Sequence, residues 1–147
     1  MDNWAYENVN YGNHNKSGSP STNAIEMWPN QFDNKTMVYG LITQDGHYAA
    51  KNVKLDQYVK DKVNDTELKY LNESKLLSRD NATIINATTN AVKLTYDNPD
   101  NKLKLVLYLL NHNKENYLMF FWAKNNLFNK YSPEFDRMIN TVKWLDR

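Results

Sequence analysis

The chain has 147 residues, 41% hydrophobic, 13% aromatic and 24% charged, with a formal net charge of +1. That length fits one domain with a core large enough to stand without staples, and the balanced charge leaves no single-sign field to attract a nucleic acid. The absence of cysteine excludes disulfides, thiol catalysis and cysteine-bound metal, and the polarity of the chain traces to abundant asparagine rather than to disorder.

Residues 1–24 are expected to form an N-terminal edge strand and a flexible loop, with the domain proper over 25–147. Trp4 to Tyr11 alternates weakly, and Gly12 to Thr22 is a polar Gly/Ser/Asn stretch with one proline. A strand is expected around Ile25–Trp28, ended by Pro29-Asn30. Met37–Thr43 is apolar on both sides of its alternation, as a central strand covered on both faces would be, and Asp45-Gly46 marks a turn. Leu55, Tyr58, Val59 and Val63 recur at helical spacing, so Lys54–Asn64 reads as an amphipathic helix. The Leu71, Leu76, Leu77 pattern within 67–78 fits helix or strand. Thr83-Ile84-Ile85 reads as a short strand, and Val92, Leu94 and Tyr96 alternate with polar residues as a half-buried strand does.

After a turn at Asn98–Asn101, Leu103, Leu105, Leu107 and Leu109 point one way, with Lys102 and Lys104 on the opposite, wetter side. The polar segment Asn111–Asn116 is expected to be a mobile loop closing a hairpin with Tyr117–Ala123. Ser132 and Pro133 have the chemistry of an N-cap and first helical residue, and Phe135, Met138, Ile139, Val142 and Leu145 then share one face of a closing helix. The order predicts an α+β domain with helices packed on a mostly antiparallel sheet.

Several stretches resemble the PsbP-like domains, especially the PsbP-related exported proteins of archaea and bacteria. Asn81–Tyr96 is similar to that family's strand, tight turn and strand; Lys102–Leu110 and Tyr117–Ala123 to its long hairpin; Tyr131–Leu145 to its closing helix; and Leu55–Val59 to part of its first helix. The N-terminal half departs from the pattern, keeping only Asn10-Tyr11-Gly12 and Trp28-Pro29. The resemblance implies an αβα sandwich and an exported protein. Relatives dock on a membrane photosystem, and a nuclear-transport factor of the same fold binds a Ran GTPase, so the resemblance by itself assigns no single function.

Asn-x-Ser/Thr occurs at Asn15, Asn34, Asn64, Asn72, Asn81 and Asn86, possible glycan acceptors in an exported protein, set against a composition that produces some by chance. His14, His47 and His112 read as exposed loop histidines rather than a metal set. No nucleophile elbow or phosphate-cradling glycine loop occurs, and the pairs Asp61/Asp65 and Glu134/Asp136 read as solvated charges on helix faces rather than acid–base dyads. Phe120, Phe121 and Trp122 run consecutively, so neighbouring rings face opposite sides of the sheet. One side packs on a helix; the other meets a second helix or a ligand.

The function expected is a non-enzymatic, extracytoplasmic binding or accessory module with a protein or glycan partner at the cell surface, and no cofactor or metal. The alternative is a carbohydrate-binding module using exposed aromatic residues; a hydrolase assembled from distant residues ranks third. No apolar run reaches the ~18 residues a bilayer span needs, and no signal-like segment follows Met1. Any signal or anchor is therefore expected outside this chain.

Overall fold

Period-two alternation of apolar and polar residues builds most of the structure, a computed structural model that describes residues 4–10, 23–32, 36–44, 54–63, 74–84, 89–113 and 115–142. Seven strands form one antiparallel sheet: β1 (Trp4–Asn10), β2 (Asn23–Pro29), β3 (Val38–Gln44), β4 (Lys75–Ile84), β5 (Thr89–Asn98), β6 (Leu103–His112) and β7 (Glu115–Lys124). Their spatial order is β1-β2-β3-β7-β6-β5-β4. Helix α1 (Leu55–Val63) joins the two halves of the chain, and α2 (Asn125–Ile139) follows β7 directly.

β6 carries the densest apolar load. Leu105, Leu107 and Leu109 are fully buried on one face, while Val106, Tyr108 and Leu110 are buried on the other. The expected pairing with Tyr117–Ala123 holds, with Leu105 opposite Trp122 and Leu107 opposite Phe120. Slipping it by one residue would exchange the two faces of the strand. The side expected to be wet is instead covered by α2. Even Lys104 lies only partly exposed there, its Nζ 5.6 Å from the centre of the Phe128 ring.

The segment Asn111–Asn116 is not the mobile loop that its polarity suggested. β6 and β7 stay paired through Asn111–Asn116 and His112–Glu115. Asn111 Nδ2 donates to Asn116 Oδ1 at 2.8 Å, so the two amides satisfy each other in part within the ladder. Asn113 has φ 50°, the left-handed conformation that tight hairpin turns require and asparagine tolerates. A matching device ends β5, where Asn98 Oδ1 accepts the backbone N–H of Asn101 at 3.1 Å.

The closing helix also begins earlier than its capping signal indicates. It starts at Asn125, and Pro133 lies inside it rather than at its first turn. Tyr131, Phe135, Met138 and Ile139 are buried, and Leu127 and Phe128 pack against the same core. Extending the apolar stripe back by two turns buries Tyr131 and part of Leu127 and Phe128, which outweighs the bond Pro133 cannot donate to the Asn129 carbonyl. Of the ambiguous 67–78 segment, residues 67–73 lie outside the described residues and the rest is strand from Lys75. Thr83 and Ile84 of the expected short strand end the ten-residue β4, and Ile85 lies outside the described residues.

The expected αβα sandwich is not what these elements make. Seven strands at a spacing of about 4.8 Å span roughly 29 Å, whereas one helix is about 10 Å across. Among the described residues a nine-residue helix packs chiefly on β6 from one side, and a fifteen-residue helix packs on β7 and β6 from the other. Neither forms a layer, so the fold is sheet-dominated. The sandwich is what the family resemblance implies; the residue pattern itself gives two helices, and the width of a sheet is not a local property.

The sheet divides the core in two. On the α2 side, Trp4, Met27, Val38, Val106, Phe121 and Phe135 belong to one cluster. On the α1 side, Tyr58, Val59, Leu94, Tyr96, Leu105 and Leu107 form the other. The edges are β1 and β4. A register shift between Leu76 and Ser78, with Arg79 and Asp80 exposed beyond it, blunts the β4 edge against further pairing.

Candidate functional site

On the α1 side, a group of half-buried aromatic side chains lies towards the β1 edge. Strand alternation puts Tyr39 and Leu41 on this face, opposite to the core residues Val38 and Ile42. Tyr39 pairs with Trp122 and Leu41 with Phe120. Continuing the β2–β3 register one residue past Met27–Gly40 sets Trp28 beside Tyr39. Trp28, Tyr39, Phe120 and Trp122 are each only partly buried. The Tyr39 ring lies 5.9 Å from Trp122 with 30° between planes, and 6.4 Å from Phe120 nearly edge-on. Glu7 opposite Glu26, and Glu26 opposite Leu41, place two carboxylates in the neighbouring row.

Phe121, between Phe120 and Trp122 in sequence, belongs wholly to the other side. It is fully buried and stacks on Phe135 with centroids 4.7 Å apart and planes 16° apart. The expectation that neighbouring rings of this triplet diverge is therefore met: one ring is core, and two join a surface. Trp28 and Tyr39 lie outside that expectation. Their alternation is visible in the sequence, but the pairing of β3 with β7 across some 80 intervening residues is not.

The carboxylates of α2 hold the structure together. Trp4 Nε1 donates to Glu134 Oε2 at 3.0 Å, tying the edge strand to the helix. Asp136 accepts from Lys93 Nζ at 3.0 Å and from the Tyr108 hydroxyl. Burial, then the bond to Asp136 and its charge, raise the Tyr108 pKa well above the usual tyrosine range. Nearby, Gln31 donates to the Tyr131 hydroxyl, and Lys130 Nζ lies 5.4 Å from the Tyr131 ring centre. Tyr131 is also shifted upwards, by burial first and then by the charge of Glu134. Glu134 and Asp136 thus act as separate tethers, not as a dyad.

Of the sequons, Asn81 is exposed on β4; Asn15, Asn34, Asn64, Asn72 and Asn86 lie outside the described residues. So do His14, His47 and Asp65. His112 ends β6, half-buried and opposite Glu115, and Asp61 accepts from Gln57 Nε2 on α1 at 2.7 Å. Among the described residues no three His, Asp or Glu side chains converge as a metal site, and no helix is long and apolar enough to cross a membrane.

Seven antiparallel strands with a helix on either side and a half-buried aromatic face define a sheet-based scaffold. A similar fold occurs in a Pseudomonas aeruginosa protein of unknown function, described as a candidate regulator. The two match with a TM-score of 0.56 at 12% identity, over 97% of this chain and 83% of that one. At that identity the likeness concerns the fold alone. No family model matches the chain, and no curated protein shows significant similarity to it.

Proposed function

We propose that this protein is a non-enzymatic binding or accessory module, working outside the cytoplasm, that recognises a protein partner through the face formed by Trp28, Tyr39, Phe120 and Trp122. The observation that carries the reading is the alignment of these four aromatic side chains across β2, β3 and β7, each only partly buried. Large aromatic side chains supply contact area at low conformational cost and dominate interface energetics. Glu134 and Asp136 serve as structural tethers, which also supports a binding role over a hydrolytic one.

A carbohydrate ligand on the same face is the second reading. It is favoured by the Glu7–Glu26 row, which sets hydrogen-bond acceptors beside rings on which a sugar could stack. Binding of labelled protein to isolated cell envelopes tests both. Replacing Trp28 and Trp122 together with Ala, with folding checked by circular dichroism, is expected to reduce binding at least tenfold, about 1.4 kcal/mol. Loss after protease treatment of the envelopes supports the protein partner, and loss after periodate oxidation supports the glycan. Undiminished binding by the double variant rejects this face.

A further inference from the structure

A second region on the α1 side has a different chemistry. Two openings of about 440 and 490 Å³ meet at the start of α1, where Leu55 and Asn90 line both. Volumes of that order lie within the range of small-ligand sites. Asn81 and Thr83 border the first opening and Asn111 the second. Lys54 and Asp56, on adjoining sides, offset each other's charge.

The sheet arranges these groups in a line. Thr83 is opposite Asn90 on β4 and β5. The β5–β6 register, continued one residue past Ala91–Leu110, sets Asn90 beside Asn111, and Asn111 is opposite Asn116. Alternation with Val92, Leu109 and Leu118, all in the α1-side core, fixes the row on that face. Four strands make the row roughly 14 Å long. Thr83 and Asn90 are exposed and Asn111 half-buried. At the inner end Asn116 is fully buried, its Oδ1 bonded to Asn111 and its Nδ2 without a partner.

We infer that this groove binds a neutral, hydroxyl-rich ligand, a short oligosaccharide, along the row Thr83–Asn90–Asn111. Each amide offers donors and an acceptor within one group, and a sugar hydroxyl is likewise both, so the two sets match without net charge. Leu55 and Val92 give the C–H face of a ring an apolar floor. An ion has less to gain here, because among the described residues Lys54 and Asp56 bring opposite charges to the opening. The groove lies on the β4–β5 flank and the aromatic face on the β2–β3 flank, so this inference and the proposed function stand or fall separately.

The test is amide NMR on the full chain, made in a host that does not glycosylate Asn81. It is titrated with neutral trisaccharides of glucose, mannose and N-acetylglucosamine, and separately with inorganic phosphate. At least one trisaccharide is expected to shift Asn81, Thr83, Asn90 and Asn111 together. Thr83→Ala and Asn90→Ala should each weaken that affinity about three- to tenfold, the loss of a neutral hydrogen bond. Asn129→Ala, on the exposed side of α2, should leave it unchanged. The inference is overturned if no trisaccharide moves these signals, if phosphate alone does, or if the shifts centre on Trp28 and Trp122.

Discussion

Adding a single methyl group at Gly40 probes how closely the sheet packs beneath α2. A Cβ built there would lie 2.8 Å from Met27 Cγ and 2.8 Å from both Cδ1 and Cε1 of Phe121. Phe121 cannot swing clear, because it is fully buried and stacked on Phe135. Relief requires α2 to move out or the ring to leave its rotamer, and overpacking of this kind costs about 1–3 kcal/mol. The sign is informative, since in an open strand Gly→Ala would stabilise by roughly 0.5–1 kcal/mol. Urea unfolding of Gly40→Ala should show a midpoint lowered by about 1 M, with slopes near 1–3 kcal/mol per molar. In Gly40→Ala/Phe121→Leu the two costs should fall short of adding, with a coupling of about 0.5–3 kcal/mol. A Gly40→Ala protein as stable as the parent, or strictly additive costs, would refute the packing of β3 under Phe121.

Pro133→Ala separates the two placements of the closing helix. With Pro133 in the interior of Asn125–Ile139, the change should stabilise the protein by about 1–3 kcal/mol in urea unfolding; a neutral or destabilising result would return Pro133 to the first turn. The Tyr108 hydroxyl predicts an alkaline limit. Its folded pKa is raised, by burial first, so its contribution is complete below the usual value of 10.0 and is lost as pH climbs above it, where the unfolded chain ionises first. Stability should fall by up to about 1.4 kcal/mol per pH unit from this group between about pH 10 and 12. Tyr108→Phe should flatten that slope, measured as urea midpoints across the range, and an unchanged slope would show that the hydroxyl is not held neutral.

Much of the sheet is legible in the amino-acid sequence, because strand alternation is a local signal. Leu103 to Leu109 at period two identifies a buried strand that pairs with Tyr117–Ala123, but with Val106, Tyr108 and Leu110 buried on the opposite face, leucine burial alone does not set the register. The amphipathic spacing of Leu55, Tyr58 and Val59 identifies α1 for the same reason. Residue chemistry is a poorer guide to position. The polar Asn111–Asn116 segment has the composition of a loop, yet Asn111 and Asn116 bond each other within the ladder. Ser132-Pro133 has the chemistry of a helix start, yet the stripe through Leu127, Phe128 and Tyr131 carries the helix past them.

The sequence by itself determined which segments alternate, since that property depends on neighbours two to four residues away. Beyond the β6–β7 hairpin, only the tertiary structure decided which strands lie side by side. The choice of β7 as partner for β3 brings Tyr39 against Trp122, and the strand order separates that aromatic face from the Thr83–Asn90–Asn111 row. The balance of layers was decided at the same level. A sheet seven strands wide outgrows the two helices among the described residues, and its width is a sum over pairings that no single segment encodes.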